Sequence, residues 1–167
     1  MSENPPSETA PFSVLFICTG NMCRSIMAEA LLSHHGRDRV RACSAGSHPA
    51  GVVHPLALEV LAELGIDASD AHSKSWDEFA GQPFNTILTL CDSAAGEACP
   101  WFPSSVIRAH WGTRDPFTFT GNEEETLACF REVRGHLEAR IRALLALPLE
   151  ILDPSELQKE LSAIGLS

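Results

Sequence analysis

The stretch "SVLFICTGNMCRSIMAEALLSHHG", residues 13–36, decides the fold, because it reads as a strand, a loop and a helix in turn. The run of residues 13–18 is apolar with hardly a break, which is typical of a parallel strand covered on both faces. Beyond the loop, Ile26 and Ala30 stand at four-residue spacing, and Gly36 stands where a helix would end. We therefore predict a central strand followed directly by a helix.

The strand-then-helix order repeats downstream. Further strands are predicted in "VRACSAG" (40–46), "FNTILTLC" (84–91) and "SVIRAHW" (105–111), and further helices over 54–65 and 122–147. Such alternation implies right-handed crossovers and a parallel sheet. The predicted fold class is α/β: a three-layer, four-stranded parallel sheet with helices on both faces.

Several chemically active side chains follow predicted strands. Cys18, Cys91 and the pair His110 and Trp111 each end one. Ligands of open parallel sheets bind outside the carboxyl ends of the strands, near the switch in strand order. We expect these residues to converge at that edge, with His110 and Trp111 shaping the wall of the site.

The composition excludes several classes of partner. The chain of 167 residues has 12 Lys and Arg against 22 Asp and Glu, a formal net charge of -10. This charge argues against nucleic acid or an anionic membrane as the main partner, so an anionic ligand needs a local positive site. No apolar run has the length of a membrane span, and "MSENPPSETAP" lacks the basic start and apolar stretch of a secretory signal. We expect a cytoplasmic protein.

The chain length indicates one main domain with two tails. Residues 1–11 combine Pro, Ser and Glu with little to bury, and we expect them to be disordered. Residues 12–147 form the expected main domain. Residues 148–167 form a C-terminal helical extension, with a short helix opened by Asp153 and Pro154 and packed on the domain.

Six cysteines without an export signal indicate catalytic, metal-binding or inert residues rather than a disulfide framework. No pair has the two-residue gap of a zinc knuckle, so no structural metal and no cofactor is predicted. The cysteines are Cys18, Cys23, Cys43, Cys91, Cys99 and Cys129. Cys43 and Cys129 fall on a predicted strand and helix, where inert core cysteines are expected.

The loop after the first strand has the features of an anion site. A loop that leads into a helix offers free backbone N–H groups and the positive end of the helix dipole. Gly20 and Asn21 are residue types that tolerate left-handed backbone angles, which lets successive N–H groups point inward. Arg24 adds a guanidinium that can grip an oxyanion with two donors. The predicted oxyanion-binding residues are Thr19, Gly20, Asn21, Met22, Cys23 and Arg24.

The same donors make Cys18 a candidate nucleophile, because they stabilise a thiolate. The hydroxyl of Ser25 can donate to that thiolate as well. The competing interpretation is that Cys18 is only a small buried residue at a strand end. An arginine six positions further on, in a glycine-bearing loop, favours the nucleophile.

The stretch "CTGNMCRS", residues 18–25, resembles the signature loop of the low-molecular-weight tyrosine phosphatase family. The resemblance implies a four-stranded parallel sheet flanked by helices, in agreement with the pattern above. It also implies that a later Asp-Pro pair supplies the general acid, and Asp115 with Pro116 matches it. A structural turn is the alternative role of Asp115.

Two further stretches resemble the arsenate reductase branch of this family: "TLCDSAAGEACPWFP" (89–103) and "HWGTRDP" (110–116). The resemblance implies arsenate as substrate and a disulfide relay from Cys18 to Cys91 and then to Cys99. It also implies thioredoxin, or glutathione with glutaredoxin, as the electron donor. Two alternatives stay open: a protein phosphatase whose extra cysteines protect Cys18, and a noncatalytic redox or oxyanion sensor. Asp115 argues against the sensor, which needs no general acid.

Some members of this branch hold a potassium ion with an asparagine, a glutamate, a serine and an aspartate. Asn21, Glu29 and Ser44 are matches for the first three. Lys74 lies where the aspartate is expected, and its ammonium group can replace the cation. No metal is therefore predicted.

Overall fold

The computed structural model of the protein describes residues 10–92 and 106–167. Its regular elements alternate along the chain as predicted. The strands are β1 (Phe12–Cys18), β2 (Val40–Gly46), β3 (Thr86–Thr89) and β4 (Ile107–His110). The helices are α1 (Arg24–Gly36), α2 (Pro55–Ala62), α3 (Glu123–Leu145) and α4 (Pro154–Gly165).

The strands form one parallel sheet in the order β2-β1-β3-β4. All seven residues of β1 are buried, as expected for a strand with neighbours on both sides and cover on both faces. The chain runs from β1 to β2 on one side and later returns to β3 on the other, so the strand order switches beside β1. The predicted four-stranded parallel sheet is confirmed, and the switch places a ligand site beyond the ends of β1 and β3.

Both faces of the sheet are covered by apolar side chains. The larger cluster includes Val14 and Phe16 from β1 together with Leu31, Phe130 and Leu161 from three of the helices. The smaller cluster, on the opposite face, contains Leu15, Ile17, Ala45, Phe84 and Ile87. The alternation of β1 residues between the two clusters follows the two-residue period of a strand.

The predicted strand boundaries were too wide at two places. The strand predicted over 84–91 is regular only from Thr86 to Thr89, and the one predicted over 105–111 only from Ile107 to His110. Single backbone bonds continue beyond them, from Leu90 N to Ile17 O and from Trp111 N to Thr89 O. The apolar residues correctly predicted which stretch is buried. The buried stretch is longer than the part that forms regular strand hydrogen bonds.

The helix starts follow the sequence signals closely, whereas the helix predicted over 54–65 ends at Ala62. Asn122 and Glu125 form a capping box at the start of α3: the Asn122 side chain accepts from the N–H of Glu125, whose carboxylate accepts from the N–H of Asn122. Asp153 caps α4 and Pro154 occupies its first turn. None of the helices in the described ranges is both long and apolar enough to cross a membrane. The tail predicted over residues 1–11 falls largely on residues 1–9, which lie outside the described residues.

Candidate active site

A small cavity of about 200 Å³ lies where β1 runs into α1. It is enclosed by the loop residues, by Asp115 and by Phe117. The loop contributes Cys18, Thr19, Gly20, Asn21, Met22, Cys23 and Arg24, which include all the predicted oxyanion-binding residues. A larger cavity of about 430 Å³ lies between α1 and residues 65–74, but no cysteine or arginine lines it. The chemistry therefore concentrates at the smaller cavity.

The carbonyl groups of the loop point away from the cavity. Those of Thr19, Gly20 and Met22 accept hydrogen bonds from the N–H groups of His48, Ala50 and His54, at 2.9, 2.9 and 3.0 Å. In a trans peptide the N–H points opposite to the C=O, so the N–H groups of the same peptides turn to the cavity side. This arrangement, at the N-terminus of α1, is suited to an anion.

Asn21 holds the loop in shape. Its φ angle is 49°, in the left-handed region, as the sequence predicted for this residue. Gly20, for which the same was expected, is not among the residues with positive φ in the described part of the chain. The side chain of Asn21 is fully buried, and its carbonyl oxygen accepts from the N–H of Lys74 at 2.9 Å. Its amide donates to the hydroxyls of Ser25 at 2.7 Å and Ser44 at 3.1 Å.

The hydroxyl of Ser25 lies 3.0 Å from the sulfur of Cys18. Because the Ser25 oxygen already accepts from the Asn21 amide, its own hydrogen is free to point at Cys18. Both residues are buried, Cys18 at 3 % and Ser25 at 0 % exposure. The predicted contact between these two residues is present.

Gly46 is a functional residue that sequence reasoning missed. A Cβ atom at this position would lie 2.5 Å from the carbonyl oxygen of Thr19 and 3.1 Å from the backbone nitrogen of Asn21. Only glycine allows β2 to approach the anion loop this closely. The sequence shows a glycine at the end of a predicted strand. That this position must be glycine depends on the pairing of β2 with β1, which the sequence does not reveal.

Arg24 joins the loop to the segment that carries Asp115. Its Nη1 donates to the carbonyl oxygen of Thr113 at 3.0 Å, and its Nη2 lies 3.3 Å from Oδ2 of Asp115. The other carboxylate oxygen of Asp115 accepts from the N–H of Phe117 at 3.0 Å. The structure thus brings the predicted acid to the cavity that contains Cys18.

Cys91 lies beside the loop. Its sulfur is 3.2 Å from the hydroxyl of Thr19, the residue directly after Cys18. Cys91 follows β3 and Cys18 ends β1, so both residues lie at the predicted edge of the sheet. Cys99, the third cysteine of the predicted relay, lies outside the described residues.

Cys23 differs from Cys18 in its electrostatic surroundings. Burial, together with the negative charges of Asp115 and Cys18, raises the pKa of the Cys23 thiol to about 12. Its side chain therefore stays protonated near neutral pH, and only its backbone is available for an anion.

Two other expectations have different outcomes. Trp111 does not line the cavity: it is fully buried, packs near Phe16 and donates from Nε1 to the carbonyl of Leu161 at 2.9 Å. The expectation that it shapes the site wall is wrong, because Trp111 faces the side of the sheet that α4 covers, in the same cluster as Ala109 and Leu161. His110 is exposed and does not line the cavity either; it bonds Thr89 at 2.8 Å and Asp92 at 2.9 Å, next to Cys91.

The residues matched to a potassium site lie together. Ser44 donates to Glu29 at 2.5 Å, and the buried ammonium group of Lys74 lies 4.0 Å from the same carboxylate. Lys74 also donates to the carbonyl of His72 at 2.8 Å. The ammonium group supplies the positive charge beside Glu29, so these residues do not fit a potassium ion. No cluster of three or more His, Cys, Asp or Glu side chains suited to a metal occurs among the described residues.

The model of the low-molecular-weight phosphotyrosine protein phosphatase family matches residues 13–163 of this chain. The chain belongs to this family. The match extends from the start of β1 into α4, so it includes the anion loop, Asp115 and most of the C-terminal helix.

The similar proteins include arsenate reductases and a phosphatase. An arsenate reductase from Halalkalibacterium halodurans is 40% identical over 129 residues, covering 77% of this chain and 91% of the relative. A structure of an arsenate reductase in the phosphate binding state has a TM-score of 0.66 and 31% identity, covering 80% of this chain and 96% of its own.

Two further structures are a reductase with a named electron donor and a phosphatase. A thioredoxin-dependent arsenate reductase from Corynebacterium glutamicum has a TM-score of 0.59 and 31% identity, covering 80% of this chain and 63% of its own. An arginine phosphatase from Geobacillus stearothermophilus has a TM-score of 0.68 and 27% identity, covering 81% of this chain and 91% of its own. The fold therefore serves both reduction and hydrolysis, and the choice rests on the side chains.

Proposed function

We propose that this protein is an arsenate reductase that reduces arsenate to arsenite with its own thiols. One observation carries the proposal: the Cys91 thiol lies 3.2 Å from the Thr19 hydroxyl, beside the loop that presents Cys18. Hydrolysis of a phosphate ester leaves phosphorus in the same oxidation state and needs one nucleophile. Reduction of arsenate needs two electrons, which two thiols supply by forming a disulfide. The curated relative at 40% identity supports the same conclusion.

The first step is binding and attack. Arsenate binds to the backbone N–H groups of residues 19–24 and to the guanidinium of Arg24, which compensate its charge. The Cys18 thiolate, held by the Ser25 hydroxyl, attacks arsenic and forms a sulfur–arsenic bond. Asp115 protonates the departing oxygen, which leaves as water.

The second step transfers the electrons. The Cys91 thiolate attacks the sulfur of Cys18, and the sulfur–arsenic bond breaks with its electron pair remaining on arsenic. Arsenite is released, and a Cys18–Cys91 disulfide is formed, so both electrons come from the two thiols. Cys99 then attacks Cys91, which frees Cys18 and leaves a Cys91–Cys99 disulfide for an external dithiol to reduce.

The electron donor belongs to this proposal. A Cys91–Cys99 disulfide is a substrate for thioredoxin, and the thioredoxin-dependent neighbour from Corynebacterium supports that donor. Glutathione with glutaredoxin is the alternative, because glutathione can attack the same disulfide or the arsenic adduct on Cys18.

The test follows NADPH oxidation on adding arsenate to the purified protein with thioredoxin and its reductase. A parallel mixture contains glutathione, glutaredoxin and glutathione reductase. Arsenate-dependent oxidation in one mixture is expected and identifies the donor. Cys91→Ser is expected to abolish turnover and to leave arsenate binding intact. Multiple turnover by Cys91→Ser would overturn the relay, and silence of the wild type in both mixtures would overturn the reductase.

A second candidate function is hydrolysis of aryl phosphates, and one side chain favours it. Phe117 lines the cavity beside Asp115, is 56% exposed and lies edge-on to the ring of His54, with centroids 5.9 Å apart. An exposed aromatic ring at the mouth of an oxyanion site can pack on an aryl group. Rapid hydrolysis of an aryl phosphate without added thiol, unchanged in Cys91→Ser, would favour the phosphatase.

A further inference from the structure

The guanidinium of Arg140 lies in the interior of the protein and, in the part of the chain that the structure describes, is not paired with an Asp or Glu side chain. Arg140 belongs to α3 and is 4% exposed. A buried charge is costly unless other polar groups compensate it. The groups that compensate Arg140 therefore show what its position achieves.

Among the described residues, the hydrogen bonds of Arg140 go to two segments of chain. Nη1 donates to the carbonyl oxygen of Gly112 at 3.0 Å and lies 3.4 Å from the hydroxyl of Thr113. Nη2 donates to the backbone oxygens of Gly165 at 3.1 Å and Ser167 at 3.0 Å. The planar guanidinium thus clamps the segment that follows β4 to the C-terminal end of α4.

The segment that follows β4, residues 111–115, leads into the cavity. The carbonyl of Thr113 accepts from Nη1 of Arg24 at 3.0 Å, and Asp115, two residues later, lies 3.3 Å from Nη2 of the same side chain. Thr113 is itself buried, and its hydroxyl donates to the carbonyl of Trp111 at 2.7 Å. A shift of Gly112 and Thr113 would move both Arg24 and Asp115.

The C-terminal end of α4 fits closely against the start of this segment. A Cβ atom at Gly165 would collide with the carbonyl oxygen of His110 and lie 2.9 Å from the ring of Trp111. The indole of Trp111 donates to the carbonyl of Leu161, one turn earlier in α4. Helix α4 therefore packs on the start of the segment that carries Asp115, and Arg140 forms hydrogen bonds to both.

We propose that Arg140 and the C-terminal end of α4 position the segment 111–115, so that Asp115 meets the leaving oxygen and Arg24 meets the bound oxyanion. Arg140 is a positioning residue: it does not line the cavity that contains Cys18, and it acts through the segment 111–115. This role gives the C-terminal helix a function in the reaction. The inference rests on the proposed reductase activity.

The test is a single-turnover measurement, with enzyme in excess of arsenate and no electron donor, in which the arsenite formed is measured over time. Without the electron donor, the oxidised enzyme is not reduced again, so the observed rate reports only the first turnover. Arg140→Gln keeps a polar side chain but is shorter and loses the positive charge and the planar pair of donor groups. We expect its rate to fall about tenfold or more, since misplacing a catalytic group by about 1 Å can cost roughly 100-fold.

The matched control is Arg142→Gln on the same helix. Arg142 is 63% exposed, and its guanidinium bonds Glu138 at 3.3 Å. The single-turnover rate of Arg142→Gln is expected to stay within about twofold of the wild-type rate, because exposed ion pairs contribute little to stability.

A double-mutant cycle with Asp115→Asn separates positioning from a general loss of stability. Because Arg24 is held through Asp115 and Thr113 of the same segment, the main effect of Arg140 is expected to pass through the acid, and Arg140→Gln should slow the Asp115→Asn protein much less than it slows the wild type. An equal slowing in both backgrounds, or a wild-type rate for Arg140→Gln, would overturn the proposal. A wild type that forms no arsenite would instead overturn the reductase itself, so the two failures are distinguishable.

Gly165→Ala provides a second variant if Arg140→Gln does not fold, as judged by circular dichroism. It keeps the guanidinium and displaces only the end of α4 from His110. The same coupling to Asp115→Asn is expected, and a wild-type rate for folded Gly165→Ala would overturn the proposal.

Discussion

The amide of Asn21 donates a 2.7 Å hydrogen bond to the hydroxyl of Ser25, which leaves the Ser25 hydrogen free to point at Cys18, 3.0 Å away. The same amide also bonds Ser44 at 3.1 Å, so Asn21 links β2, the anion loop and the start of α1. A residue in the left-handed region, φ 49°, thus shapes the loop and also orients the donor on the nucleophile.

Replacing Ser25 by Ala should slow the attack by Cys18 about 10- to 100-fold, since a hydrogen bond to a charged group contributes about 1.5–3 kcal/mol. The measurement is the rate of arsenite formation in a single turnover, together with the rate at which iodoacetamide labels Cys18. Ser33→Ala, an exposed position on the same helix, is the control. Unchanged rates in Ser25→Ala would show that the hydroxyl does not stabilise the thiolate.

Cys23 should resist alkylation although it lies in the same loop. With its pKa raised to about 12, its thiolate fraction at pH 8 is about one part in ten thousand. Mass spectrometry after brief exposure of the native protein to iodoacetamide should find Cys23 unmodified. Cys23→Ala keeps the backbone N–H and should retain turnover within about threefold. Labelling of Cys23 as fast as that of Cys18 would contradict the burial argument.

Adding a methyl group at Gly46 should weaken oxyanion binding. Because its Cβ would lie 2.5 Å from the carbonyl of Thr19, the loop must move and its inward N–H groups lose their aim. Loss of one such charge-assisted bond corresponds to about a tenfold weaker affinity or more. The measurement is the dissociation constant of inorganic phosphate by titration calorimetry.

Gly135→Ala is the matched control for Gly46→Ala. A Cβ atom at Gly135, inside α3, would meet no atom within 4 Å. This variant should stabilise the protein by roughly 1 kcal/mol through helix propensity and leave phosphate affinity unchanged. Equal affinities in the two variants would mean that the close approach of β2 does not shape the loop.

Local sequence patterns predicted most of the fold because each element carries its own signal. The apolar run before Cys18, the capping box at Asn122 and Pro154 after Asp153 depend only on neighbouring residues, and the structure contains all three elements. The loop could be interpreted for the same reason. Its donors, its left-handed residue Asn21 and its nucleophile are consecutive in the chain.

The features that the sequence did not reveal all depend on contacts between distant residues. Gly46 matters because β2 pairs with β1, and Trp111 is buried because α4 covers it. Arg140 lies 25 residues before Gly165 and 28 after Gly112, and a lone arginine in a helix gives no sign of either contact. Long-range pairing decides these roles, and periodicity does not encode it.

His54 should make stability depend on pH. Its Nδ1 accepts from the N–H of Leu56 at 3.1 Å and so caps α2, and its ring packs on Phe130 with centroids 4.8 Å apart. Burial lowers the pKa of His54 below its ordinary 6.5. The unfolded chain therefore binds a proton at a higher pH than the folded protein does. This contribution to stability is fully present above pH 6.5 and is lost as the pH falls below that value.

The variant His54→Asn tests this, because an asparagine caps a helix without titrating. The free energy of unfolding by urea is measured for both proteins from about pH 5 to 8. The advantage of the wild type over His54→Asn should shrink as the pH falls, because protonation of Nδ1 removes the acceptor and charges a ring that lies against Phe130. His34→Asn, an exposed histidine on α1, should show a difference from the wild type that stays constant with pH. A constant difference for His54→Asn as well would show that the cap does not require neutral histidine.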